Sequence, residues 1–176
     1  VGGHSRGRGA AGVVEQVRWR GRVGEAGAAQ EAALVHYTFA EGAGDVLRDH
    51  GGGGNHGKIS GPKWGRNGSG WALEFDGVDD YVDCGDGPGV DPRDALTMEA
   101  GVFAQDRLCN ADVEGTSLGK GYNDAITKRR DGTWSDINGG AIGHRVNAFM
   151  PFEKWVHFAQ TFDGTRLHFY IDGRSP

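Results

Sequence analysis

The sequence predicts an all-β protein built as an antiparallel sandwich or barrel, and three observations support that prediction. From Leu34 onward, short segments alternate apolar and polar residues with a period of two, as strands with one buried face do. Asp-Gly pairs separate several of these segments and are typical of tight turns. No amphipathic helical repeat follows Leu34, so the pattern offers no helices to connect parallel strands.

Five segments are predicted as strands, each with alternate residues on one inward face. In chain order these inward residues are Val35, Tyr37 and Phe39; Leu73 and Phe75; Met98, Ala100 and Val102; Val156, Phe158 and Phe162; and Leu167, Phe169 and Ile171. Phe75, Val102 and Phe158 are expected to share one core. Turns are predicted at Asp76-Gly77, Asp131-Gly132, Asp163-Gly164 and Asp172-Gly173.

Composition and charge narrow the class of protein. The 176 residues include 33 glycines without a Gly-X-Y period, which excludes collagen, and 37% hydrophobic residues are enough to close a core. No apolar stretch reaches the roughly 18 residues that a membrane span needs. A formal net charge of −5 disfavours nucleic acid and suits cations or neutral ligands.

Residues 1–33 differ from the rest in composition. They are rich in Gly, Ala and Arg and hold few large apolar side chains. Such a segment buries little surface, so it is predicted to be a flexible linker or the tail of an upstream domain. Residues 34–176 are then predicted to form the folded domain.

Several segments together resemble the laminin G-like, concanavalin A-like jelly-roll modules. The segments are Leu34 to Gly42, Asp49 to Gly57, Ala72 to Val82 (ALEFDGVDDYV), Leu96 to Ala100, Lys120-Gly121, Trp155 to Gly164 (WVHFAQTFDG) and Leu167 to Gly173 (LHFYIDG). One position departs from the pattern, because Gly101 stands where such modules usually carry Trp. The family pattern also continues beyond Gly173 into closing strands, so the domain is expected to be incomplete in this chain.

The resemblance implies both a fold and a function. The fold is an antiparallel β-sandwich of the jelly-roll type, and the implied function is a non-catalytic recognition module of a secreted or cell-surface protein. Its partner would be carbohydrate or an extracellular protein, with neither nucleic acid nor membrane insertion involved. Modules of this appearance often carry a structural calcium ion.

An acidic region is the candidate metal site. Asp76, Asp79 and Asp80 lie close in sequence, and Asp49 and Asn55 flank a glycine loop whose carbonyls could join them. Calcium prefers six to eight oxygen ligands, which this density of carboxylates could supply. The alternative is a solvated turn in which aspartate side chains bond their own backbone.

A carbohydrate site would combine an aromatic platform with polar neighbours, because a sugar ring stacks on an aromatic face while polar groups bond its hydroxyls. The candidate ligand-binding residues are Trp134, Tyr122, Asn123, Asn138 and Arg145.

Two alternatives to a recognition module are kept. Glu74 and Asp76 share a face if both lie on a strand, as the paired carboxylates of a glycan-cleaving jelly roll would, but Gly77 favours a turn, so no catalytic residue is assigned. A purely structural spacer is the second alternative. Cys84 and Cys109 form one bridge or remain two thiols.

Overall fold

The fold is all-β and antiparallel, as the alternation predicts. The computed structural model describes residues 12–23, 30–85, 95–105, 115–120, 124–129, 132–137, 142–146, 151 and 153–175. The strands are β1 Gly12–Val23, β2 Gln30–Tyr37, β3 Val46–Leu47, β4 Gly57–Ser60, β5 Lys63–Asn67, β6 Gly70–Phe75, β7 Tyr81–Asp83, β8 Leu96–Ala104, β9 Gly115–Lys120, β10 Asp124–Arg129, β11 Gly132–Ile137, β12 Ile142–Val146, β13 Trp155–Phe162 and β14 Leu167–Ile171. Across these ranges there is no helix, and hence none that could cross a membrane.

The strands form three sheets. The largest has seven strands in the order β14-β13-β8-β1-β6-β5, with β2 paired to β1 beside β6. A smaller sheet has the order β3-β4-β7, and a meander has the order β12-β11-β10-β9. Every strand pair is antiparallel.

One hydrophobic core joins the seven-stranded sheet to the three-stranded sheet. Phe158, Met98 and Leu73 of the larger sheet are fully buried, and they belong to the same cluster as Leu47 and Ile59 of the smaller sheet. Packing between two antiparallel sheets is the sandwich arrangement that the alternation predicted.

The shared core expected for three distant residues is confirmed. Val102 and Phe158 lie in the buried cluster, and Phe75 is partly buried and packs against it. The inward residues of β8 and β13 also follow the predicted alternation, with one face buried and the other at least partly exposed. In β14, Phe169 is buried, and Leu167 and Ile171 are partly buried against the core. In β2, however, Leu34 is buried although it was predicted to face outward. The register of β1 with β2 shifts at this point, which turns Leu34 inward.

The N-terminal region requires a correction. A flexible linker was expected over residues 1–33, yet residues 12–23 form β1, which lies between β8 on one side and β2 and β6 on the other. Val17 and Trp19 are buried in the core from this strand. A bulge at Gln16, whose φ is 46°, interrupts the alternation of β1 and hides its period of two in the sequence.

Aspartate residues organise the predicted turns. After β13, Asp163 accepts backbone N–H bonds from Thr165 at 2.8 Å and Arg166 at 2.7 Å, and these bonds lower the pKa of its carboxyl. Positive φ at Gly77, Gly164 and Gly173 completes three of the four predicted turns. The fourth pair includes Asp131, which lies outside the described residues.

Candidate functional site

The face of the seven-stranded sheet opposite the core carries two transverse rows of side chains, and we call it the outer face. In the first row, register pairs connect Tyr170 of β14, Ala159 of β13, Glu99 of β8, Arg18 of β1 and His36 of β2. These five strands span about 19 Å, which is four strand spacings of about 4.8 Å. The row is partly exposed along its length.

The second row lies two residues along each strand from the first. It runs from His168 of β14 through Thr161 and Thr97 to Arg20 of β1. Both rows have a ring on β14 and an arginine on β1. Ala159 and Glu99 lie between them in the first row, and Thr161 and Thr97 lie between them in the second.

Glu99 lies near two basic side chains in the middle of the outer face. Glu99 Oε1 lies 3.6 Å from Arg18 Nη1, and Glu99 Oε2 lies 3.4 Å from His157 Nε2. The side chain of Glu99 is 24% exposed, against 35% for Arg18 and 51% for His157. Charges this accessible are screened by water, so they can exchange partners with a ligand at little cost.

Aromatic rings mark the β13–β14 side of the outer face. The rings of His168 and Tyr170 lie 6.5 Å apart between centroids, and those of Phe103 and Trp155 lie 5.9 Å apart. Ala159, between Tyr170 and Glu99 in the first row, has the smallest side chain of that row. Aromatic faces beside polar groups are the elements from which sugar sites are built.

Glu15 covers the outer face at Gly101, where the family pattern has Trp. A Cβ at position 101 would lie 3.0 Å from Glu15 Cγ and 3.1 Å from the Glu15 carbonyl oxygen. The carboxylate of Glu15 in turn accepts a hydrogen bond from Asn67 Nδ2. The side chain of Glu15 on β1 therefore occupies the space above Gly101, where a larger residue would otherwise lie.

Asp49, one of the predicted metal ligands, braces the loop that follows β3. Its Oδ1 accepts backbone N–H bonds from His36 at 2.8 Å and Gly51 at 2.7 Å, and its Oδ2 accepts one from Asn55 at 3.0 Å. Asn55 donates through Nδ2 to the Leu34 carbonyl at 3.2 Å. Both side chains are thus engaged in holding residues 49–55 against β2.

Two histidines and a buried tyrosine lie where this loop contacts β2. The rings of His36 and His50 lie 6.4 Å apart at their centroids. Burial lowers the pKa of His36, and Arg18, His50 and Arg20 lower it further, against an opposite effect of Asp49. Tyr37 donates its hydroxyl proton to the Asn55 carbonyl, and burial raises the pKa of Tyr37 well above its usual value.

The other three predicted metal ligands do come together. One carboxylate oxygen from each of Asp76, Asp79 and Asp80 lies within 4.8 Å of the others. Asp80 Oδ2 accepts the Asp76 backbone N–H at 2.8 Å, and Asp76 Oδ1 accepts that of Val78 at 2.8 Å. These are backbone bonds of the kind expected of an aspartate-rich turn.

The predicted ligand-binding residues fall in the part of the chain described least. Trp134 of β11 lies opposite Arg145 of β12 in the backbone register. Tyr122, Asn123 and Asn138 lie outside the described residues.

The two carboxylates considered for catalysis, Glu74 and Asp76, lie in different local structures. Glu74 lies on β6 opposite Lys63, whereas Asp76 follows the strand and bonds Val78 in the turn. Cys84 is a free thiol, and burial raises its pKa, so the reactive thiolate is disfavoured there. Cys109 lies outside the described residues.

Sequence reasoning missed the arginine end of the outer face. Arg18 and Arg20 were assigned to a linker, although their alternation with Val17, Trp19 and Gly21 was a strand signal. The other end of the outer face could be predicted from the sequence, because His168 and Tyr170 were expected opposite the inward residues of their strand. Which residues share a row depends on register, which alternation does not specify.

In comparisons with known proteins, no family model matched the sequence, and neither a curated protein nor a solved structure matched the chain.

Proposed function

We propose that this chain is a non-catalytic, laminin G-like recognition module of the jelly-roll type, which binds carbohydrate on the outer face of its seven-stranded sheet and acts outside the cell. The observation that carries the proposal is the pair of parallel rows, each with a ring on β14, at least one hydrogen-bonding side chain between, and an arginine on β1.

The chemistry of the rows suits an extended sugar chain. A sugar ring presents apolar C–H groups on its faces and hydroxyls around its rim. Tyr170 and His168 offer flat surfaces for the faces, while Thr161, Thr97 and Glu99 offer donors and acceptors for the rim. A span of about 19 Å leaves room for more than one sugar unit.

A glycan-binding screen of the full chain tests this proposal. We expect at least one neutral oligosaccharide to bind without being cleaved, and Tyr170→Ala to weaken binding by roughly tenfold through loss of stacking. Tyr170→Phe, which keeps the ring, should retain most of the affinity.

Tyr81→Ala is the matched control, because Tyr81 is 47% exposed on the three-stranded sheet. Equal losses for Tyr81→Ala and Tyr170→Ala, or no glycan bound at all, would contradict the proposal. Release of shorter sugars would instead support a hydrolase, and Glu74→Gln would then be expected to abolish it.

Calcium belongs to the same proposal as a stabiliser of loops. The three carboxylates of Asp76, Asp79 and Asp80 supply oxygens within 4.8 Å of one another, and one ion at about 2.3 to 2.6 Å from each of its ligands can contact oxygens that far apart. Thermal melting in calcium against chelator should show a shift that Asp79→Asn removes, while Asp45→Asn, an exposed aspartate before β3, leaves it intact. A melting temperature independent of calcium would exclude this part of the proposal.

A further inference from the structure

The β1 end of the outer face concentrates basic side chains. Arg18 and Arg20 point to the same face of β1, since they lie two residues apart on one strand. His36 is the register partner of Arg18 across the β1–β2 pair, and the ring of His50 lies 6.4 Å from that of His36. We call this group, in which Arg18 and Arg20 carry the positive charge beside His36 and His50, the cationic cluster.

Two arginines lie together in this cluster although the chain as a whole is acidic. Burial lowers the pKa of His36 most, Arg18, His50 and Arg20 lower it further, and Asp49 acts in the opposite direction. The carboxylate of Asp49 is already shared among three backbone N–H groups. The two arginines of the cluster therefore contrast with the net charge of −5 of the whole chain.

The two guanidinium groups have donors available. Arg18 Nη1 lies 3.6 Å from Glu99 Oε1, which is longer than a hydrogen bond, and that carboxylate is shared with His157. Arg20 is exposed and makes no ion pair within the described part of the chain. A guanidinium presents five N–H donors in a planar fork that matches a carboxylate.

Resting on the function proposed above, we infer that the cationic cluster binds the carboxylate of an acidic sugar, so that the preferred ligand is a uronate-containing polysaccharide. The cluster continues the two rows that would hold the sugar rings, so one chain can contact both.

The test is calorimetric titration of the full chain with tetragalacturonate and with its fully methyl-esterified form, in the presence of chelator. The ester has the same sugar rings without the charges, so it isolates the contribution of the carboxylates. We expect the acid to bind roughly tenfold more tightly than the ester, and the difference to shrink as salt is added.

Two double variants locate the effect. Arg18→Gln with Arg20→Gln should remove the preference for the acid, whereas Arg48→Gln with Lys58→Gln removes the same charge from exposed positions outside the outer face and should leave it. Binding of the ester should weaken less than binding of the acid in the Arg18 and Arg20 variant, and it should be unchanged in the Arg48 and Lys58 control. Parallel titrations with dextran sulfate and with uncharged dextran distinguish recognition of sulfate from recognition of carboxylate.

The outcomes separate this inference from the function on which it rests. Equal binding of acid and ester would overturn the inference and leave the recognition module intact, whereas failure to bind any saccharide would remove both. Preference for dextran sulfate over tetragalacturonate, or tighter binding of an acidic peptide or RNA, would also overturn the assignment of a uronate.

Discussion

Asp49 gives the clearest energetic prediction at the scale of single residues. It is 9% exposed and satisfies three backbone N–H groups. Asp49→Ala should lower the free energy of unfolding by about 3 kcal/mol, because buried donors left without acceptors are costly. Asp49→Asn keeps one acceptor oxygen and should cost less.

Urea denaturation measures this effect, with Asp45→Ala as the control because Asp45 is exposed. Similar losses for the two alanine variants would show that the hydrogen bonds of Asp49 do not stabilise the fold.

His36 gives a prediction about pH at the same scale. Its pKa in the fold lies below the ordinary value of 6.5, first because of burial and then because of Arg18. The unfolded chain therefore binds this proton more readily, so the stability that His36 contributes is complete above about pH 6.5 and is lost as pH falls further. Wild type should lose more stability than His36→Gln between about pH 7.5 and about pH 5.5. Parallel pH profiles in denaturant melts would rule this out.

At the scale of elements, β1 contributes side chains both to the core and to the proposed binding face. It provides the buried Val17 and Trp19 to the core and Arg18 and Arg20 to the outer face. Its composition predicted a linker because glycine and arginine dominate the residues around it. A strand between two partners gains ladder hydrogen bonds and a core contact that composition alone does not reveal.

The contact of β1 with β8 predicts the effect of placing a large aromatic side chain at position 101. Gly101→Trp should lower stability by about 2 kcal/mol or more, because Glu15 occupies the space above Gly101 and the new side chain would overpack it. Combining it with Glu15→Ala should recover part of the loss. Thermal unfolding of the three variants measures this coupling, and a double variant no better than the single one would contradict the contact.

At the scale of the whole molecule, one core makes the two facing sheets interdependent. Ile59 of β4 and Phe158 of β13 are 8% and 0% exposed and belong to one cluster. Ile59→Ala and Phe158→Ala should each destabilise by about 3 to 4 kcal/mol and shift a single transition.

Tryptophan fluorescence and amide exchange in β4 should report the same midpoint in each variant. Separate transitions, with Ile59→Ala affecting one and Phe158→Ala the other, would show that the sheets fold independently.

The sequence alone determined the fold class and the inward faces of β8, β13 and β14, since a period of two follows directly from strand geometry. It also determined the aspartate turns, which depend on neighbouring residues. Only the tertiary structure decided that residues 12–23 form a central strand, that Glu15 covers Gly101, and that Arg18 stands between Glu99 and His36. These relations join residues far apart in the chain through register, and a slip of one residue would preserve every local pattern while exchanging the faces.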